Sequence, residues 1–220
     1  MHVARDAATG APIAFVAHAV CHPVYEMCLP EISPDYPGEL RHLLQTRVAG
    51  VPVLFLQGAA GPINPWHVSG GSAYARRHAE AIFDALEPAL QRPQPVAQDL
   101  QLRRATFPLP CRELPGEPVR TAVAAEVSVL HLGDLACLFI PGEPFIETAL
   151  ALEEEARFPH LLVIGLSSAS IGYIPPAELF DEGGYEIGPG RWSYLARTAE
   201  AQLRKAIRTL ARRASNQQGA

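Results

Sequence analysis

One event recurs along this chain and constrains its fold more than any other feature. A short apolar run stops abruptly, and the residues that follow are polar or glycine. Residues 12–21 (PIAFVAHAVC) stop at His22-Pro23, and residues 51–57 (VPVLFLQ) run into Gly58-Ala59-Ala60-Gly61-Pro62. Residues 135–140 (LACLFI) stop at Pro141-Gly142, and the apolar run 161–166 gives way to a loop of small residues. Runs of this length bounded by turn residues read as buried strands. At residue 23 the stop is chemical, because proline holds the preceding residue extended and removes a donor.

Helical patterns alternate with these runs. Asp35 is placed to cap a helix with leucines 40, 43 and 44 on one face. Residues 72–90 carry Ala75, Ala79, Ile82, Phe83, Leu86 and Leu90 on one side. Helices are also expected over 143–156 and over 192–213, the latter with Leu195, Ala199, Leu203, Ile207 and Leu210 inward. Further strands are expected near 99–107 and 123–132. Alternation of this kind predicts an α/β fold with mixed β-sheets flanked by helices. No repeat, low-complexity segment or linker marks a domain boundary. In sheets covered by helices, ligands sit just past the carboxyl ends of strands, in the loops that carry function. His22, the loop 57–61, Glu143 and the loop 167–173 are therefore the places to look.

Composition narrows the classes. The 220 residues are 48% hydrophobic and 19% charged, as in a folded domain or a large piece of one. A net charge of −5 argues against a dedicated nucleic-acid binder, which needs a basic face. No apolar stretch is long enough for a membrane span, and the first residues lack the pattern of a signal peptide. That leaves a cytoplasmic location as the default, or secretion if a longer N-terminus exists. The four cysteines show no metal-knuckle spacing, and Cys21 and Cys137 read as buried thiols. Arg204, Lys205, Arg208, Arg212 and Arg213 fall in the last helix, where cations offset its dipole.

Each candidate residue taken alone has a plain structural reading. His22 fits a hydrogen-bonding group at a strand end, Glu143 a first-turn glutamate complementing a helix dipole, and Tyr173 a packed aromatic ring. Together, an imidazole, a carboxylate and a phenolate make a mixed N/O set suited to zinc and short of closed coordination. No HExxH, GxSxG, P-loop or dinucleotide fingerprint is present.

Four segments, in order, resemble the neutral ceramidases and their shorter bacterial relatives. They are Ala19-Val20-Cys21-His22-Pro23; Leu56 through Pro65, with Gln57, Gly61 and Asn64; Pro141-Gly142-Glu143-Pro144-Phe145; and Ser168 to Glu186, whose Tyr173 and Tyr185 stand twelve residues apart. The resemblance implies hydrolysis of an N-acylsphingosine to a fatty acid and a sphingoid base. It implies a Zn(2+) cofactor held by His22, Glu143 and Tyr173, an oxyanion contact from Tyr185, and substrate contacts at Gln57 and Gly61. Asn64 stands where the family has its catalytic serine, so its amide is the donor available there; Pro62 replaces the family's aspartate.

The resemblance also implies that residues 1–220 are a partial catalytic domain whose N-terminal half, with a further histidine ligand, lies elsewhere. A coding start set too late, a degenerate remnant and a partner chain each account for that. An incomplete domain exposes apolar faces and is expected to self-associate. The alternatives to ceramide hydrolysis are a catalytically dead lipid- or small-molecule-binding remnant and a hydrolase of another N-acyl amine.

Overall fold

The apolar run before His22 forms β2 (Pro12–Ala19), the middle strand of a three-stranded sheet. β1 (His2–Arg5) pairs antiparallel on one side of it and β3 (Val53–Gln57) parallel on the other. A parallel pair needs a crossover, and α1 (Asp35–Leu44) with a π-helical turn at Gln45–Ala49 lies in it. α2 (Ser72–Leu90) spans the residues its periodicity predicts and packs along α1. Phe15, Ala17, Leu40, Leu44, Val53, Ala79 and Phe83 form the core. The computed structural model describes residues 1–90, 94–96, 99–156 and 158–215. It divides into two compact units, and the elements above belong to the first, residues 1–57 and 64–95.

The second unit holds residues 58–63 and 96–220. Its strands are β4 (Leu100–Pro110), β5 (Ala122–Leu132), β6 (Leu135–Phe139), β7 (Glu143–Pro144), β8 (His160–Ile164) and β9 (Tyr173–Ile174), and its helices are α3 (Ile146–Ala156) and α4 (Ala199–Ser215). β4, β5 and β6 run antiparallel in sequence order, and β8 closes the row parallel to β6 after the α3 crossover. Alternate residues of β5 and β6, with Leu152 of α3 and Leu203 and Ile207 of α4, build the larger core. Each fully buried leucine of this kind contributes about 1.5–3 kcal/mol by leaving water. Mixed sheets flanked by helices are the architecture observed.

Three local expectations are corrected. Asp35 is not the N-cap, which is Pro34: Asp35 is the first helical residue, with φ of 50°, and its carboxylate accepts the N–H of Tyr36 in the helix (2.7 Å) and of Glu26 in the loop before it (2.8 Å). The helix expected from residue 143 starts at Ile146, because the Glu143 N–H is given to the Gly172 carbonyl (3.0 Å). The terminal helix starts at Ala199 and not near 192. The segment before it is extended, with Arg112 N–H on the Tyr194 carbonyl (2.9 Å) and Ala196 N–H on the Pro110 carbonyl (2.8 Å). Leu195 is buried as expected, but from a bridge to Cys111.

Within α4, Arg204 and Arg208 pair with Glu155 of α3, and Arg204 Nε lies 2.7 Å from the buried Glu200 carboxylate, so their charges serve helix packing as well as the dipole. The Arg212 and Arg213 side chains lie outside the described residues. Cys21 and Cys137 are buried free thiols. No described helix is long and apolar enough to cross a membrane.

Candidate active site

Glu143 and Tyr173 are register partners in the short parallel pair β7–β9. Residues opposite each other in a ladder project side by side, and here the Tyr173 phenol hydrogen-bonds the Glu143 carboxylate. Tyr173 is 8% exposed. Burial drives its pKa far above the ordinary phenol value, and the charges of Glu143 and Glu186 push the same way. The phenol therefore keeps its proton and donates it to the Glu143 side chain. Two hard oxygen donors held together, one buried and one half-buried, are a fitting part of a zinc site.

The turn carrying Glu143 is clamped by backbone bonds from the loop after β8. Leu166 N–H reaches the Gly142 carbonyl (2.7 Å), Ser167 N–H the Ile140 carbonyl (3.0 Å) and Ile171 N–H the Pro141 carbonyl (2.9 Å). Leu166 and Ser168 both sit at positive φ, 53° and 67°. Left-handed conformations at non-glycine residues are sparse and concentrate at functional loops. Gly61 supports the same turn from another segment. Its N–H donates to the Pro144 carbonyl (3.0 Å), and a Cβ there would stand 2.5 Å from the Phe145 ring. The glycine is a close-approach residue that seats the Glu143 strand.

Tyr185 lies within reach of this pair. Its ring meets that of Tyr173 edge to face, with centroids 6.1 Å apart, so the twelve-residue spacing does bring the two tyrosines together. Unlike Tyr173 it is 62% exposed.

His22, Gln57 and Asn64 belong to the first unit. His22 lies just past the end of β2, half-buried, on a peptide held by its neighbours. The Tyr36 hydroxyl donates to the Cys21 carbonyl (2.7 Å), and Val24 N–H donates back to the His22 carbonyl (3.1 Å). Gln57 is the last residue of β3, and its side-chain nitrogen is out of water with no protein partner among the described residues. Such an orphaned donor is costly unless a ligand or water meets it. Asn64 is exposed. Among the described residues no three His, Cys, Asp or Glu side chains converge on one point. The implied ligand set has one histidine and one glutamate, with tyrosine as its other member.

Two residues of this region stand outside the motifs. Trp192 stacks on Tyr185, and Arg112 donates to the Ser193 carbonyl and hydroxyl (both 2.9 Å) and to the Ile187 carbonyl. The sequence around Trp192 offers only that a helix start is a poor reading two residues after the glycine- and proline-broken stretch 188–190.

No family model matches the chain, and no curated protein matches it in sequence. Its fold does match solved structures. The neutral ceramidase of Pseudomonas aeruginosa superposes with a TM-score of 0.75 at 15% identity, over 93% of this chain and 44% of that one. A structure described as ceramidase complexed with C2 gives 0.78 at 14% identity, over 93% of this chain and 46% of that one. The chain thus has the fold of part of these ceramidases and spans less than half their length.

Proposed function

We propose that this chain, which shares the fold of part of the neutral ceramidases, is the part of a zinc-dependent amide hydrolase that supplies Glu143, Tyr173, Tyr185 and His22. The observation that carries the reading is the Glu143–Tyr173 pair, two oxygen donors fixed in one β-ladder and joined by a hydrogen bond. The substrate class is an N-acyl sphingoid base, cleaved to a fatty acid and the free amine. Zinc, held by His22, Glu143 and Tyr173, supplies Lewis-acid chemistry toward the amide carbonyl when bound.

The chain's own residues do the rest. Glu143 offers its carboxyl oxygens and Tyr173 its phenol oxygen as the pair that would hold the metal, and the Tyr173 hydroxyl donates its proton to Glu143. The Tyr185 hydroxyl points a donor at the oxygen that gains charge as the amide is attacked. The orphaned Gln57 amide meets a polar group of the substrate. Asn64 offers an amide donor where the ceramidase motif has its serine. Gly61 is buried against the Glu143 strand, where a side chain would displace Phe145. The remainder of the catalytic domain, as the coverage of the ceramidase structures suggests, comes from sequence beyond these residues or from a second chain. Self-association through apolar edges of the unit belongs to the same reading.

Zinc uptake and product release test this together. The chelator-stripped protein is expected to take up about one zinc, with uptake lost in His22→Ala and Glu143→Gln. Fatty acid should be released from a short-chain N-acylsphingosine in preference to other N-acyl amines. Tyr185→Phe should lower kcat by about 10²–10³-fold, the usual loss for one oxyanion donor. Absence of zinc uptake would overturn the metal centre. Uptake without release from any N-acyl amine would leave a binding module.

A further inference from the structure

We infer that Trp192 is a positioning residue that holds the Tyr185 ring beside Tyr173. The inference rests on the reading of Tyr185 as oxyanion donor and deepens it. Three contacts converge on this one residue. Its indole lies parallel to the Tyr185 ring, with centroids 5.1 Å apart and planes 8° from parallel. Its Nε1–H donates to the Tyr185 carbonyl at 2.9 Å, so ring and backbone of the tyrosine are gripped together. Its own carbonyl accepts the Tyr173 N–H at 2.9 Å.

The two tyrosines are thus referenced to a common residue from opposite ends: Tyr173 to the backbone of Trp192, and Tyr185 to its side chain. Trp192 is 42% exposed, and its backbone and one part of the indole lie close against neighbours. A Cβ on Gly172 would stand 2.2 Å from the Trp192 carbonyl oxygen, and one on Gly190 would stand 2.8 Å from the indole. Backbone bonds between Gly190 and Ser193 close the turn around it, and Arg112 anchors the Ser193 carbonyl. Tyr185 alone, 62% exposed on a loop, would sample many rotamers. Stacking on an indole whose Nε1–H bonds the same tyrosine's carbonyl reduces that freedom before substrate arrives, which is where an oxyanion donor draws its catalytic advantage.

The division of labour makes the test selective. Trp192→Leu removes the stack and the indole donor but keeps the backbone acceptor for Tyr173, so zinc affinity should stay at the wild-type value. The variant should lower kcat by about 10–100-fold with KM little changed, the size of loss that an ångström of misplacement produces. Trp192→Phe keeps a stacking ring and should recover most of the rate. In a Tyr185→Phe background, Trp192→Leu should add no further loss.

Independently of activity, the Tyr185 ring protons in an NMR spectrum of the wild-type chain should be shifted upfield by the indole. The shift should persist in part in Trp192→Phe and vanish in Trp192→Leu. Unshifted Tyr185 protons in the wild type, or a shift that survives Trp192→Leu, would overturn the inference whatever the activity. So would additive losses in the double variant. If the wild type takes up no zinc and releases no fatty acid but shows the Trp192-dependent shift, the functional reading fails and the placement of Tyr185 by Trp192 stands.

Discussion

At the scale of single residues, the site depends as much on small side chains as on reactive ones. Gly172 sits at φ of 76° with the Trp192 carbonyl against the place of its missing Cβ, and its own carbonyl accepts the Glu143 N–H. Any side chain there must strain the backbone and break the approach that brings Trp192 to the β7–β9 ladder. Gly172→Ala is expected to cost about 2–4 kcal/mol in denaturant unfolding, more than a surface substitution, and to weaken zinc uptake along with stability. His22, Glu143, Tyr173 and Tyr185 were legible as candidates because they fall at strand ends and in recognisable motifs. Trp192 was not, because its role lies in what it leans on and no local pattern records that.

At the scale of elements, the peptide carrying His22 is held by an aromatic cluster between α1 and α2. Tyr36 of α1 stacks on His78 of α2, with ring centroids 4.4 Å apart, while its hydroxyl holds the Cys21 carbonyl. Tyr25 reaches His78 Nδ1 at 3.1 Å. Burial lowers the pKa of the His78 imidazole below the ordinary 6.5, against an opposing pull from Asp35. On acidification through 6.5, the unfolded chain therefore takes up a proton before the folded chain does. Stability contributed by neutral His78 is complete above that pH and declines below it. The melting temperature should fall on acidification below pH 6.5. His78→Phe, which keeps a ring on Tyr36, should flatten that slope. The half-buried His131, lowered by burial and by Arg103, acts with the same sign, so part of the slope remains. A slope unchanged by His78→Phe would place the acid sensitivity elsewhere.

At the scale of the whole molecule, the edge of the larger sheet bears on assembly. β4 pairs with β5 and with no other described strand, and it presents Leu100 (62% exposed) and Leu102 (55% exposed). Ala196 bonds this edge at Pro110, and its Leu100–Leu102 end, with two exposed leucines, is a template for pairing with another chain. Sedimentation should show concentration-dependent self-association, and Leu102→Lys should shift the protein toward monomer, because a charged side chain on an edge opposes strand addition. Sedimentation as a monomer at all concentrations would remove this edge as an assembly surface.

What the sequence determined by itself was everything written in short-range periodicity. The α/β class, the run Ser72–Leu90 as a helix, the strands β2 to β6 and β8 to within a few residues, and the buried thiols all follow from the spacing of apolar side chains and from proline and glycine as stops. Tertiary structure alone decided three things at the site. Glu143 is a strand residue and not a helix start, because the Gly172 carbonyl, 29 residues away, takes its N–H. Ser193 and Leu195 form bridges and residues 197–198 a turn despite helix-like spacing, because the Pro110 carbonyl and the Arg112 N–H take backbone groups of this segment. Tyr185 stands beside Tyr173 because Trp192 holds it there. Propensity is a sum over near neighbours worth a few tenths of a kcal/mol each. A hydrogen-bond partner from a distant segment outweighs it wherever the core has already fixed that partner in place.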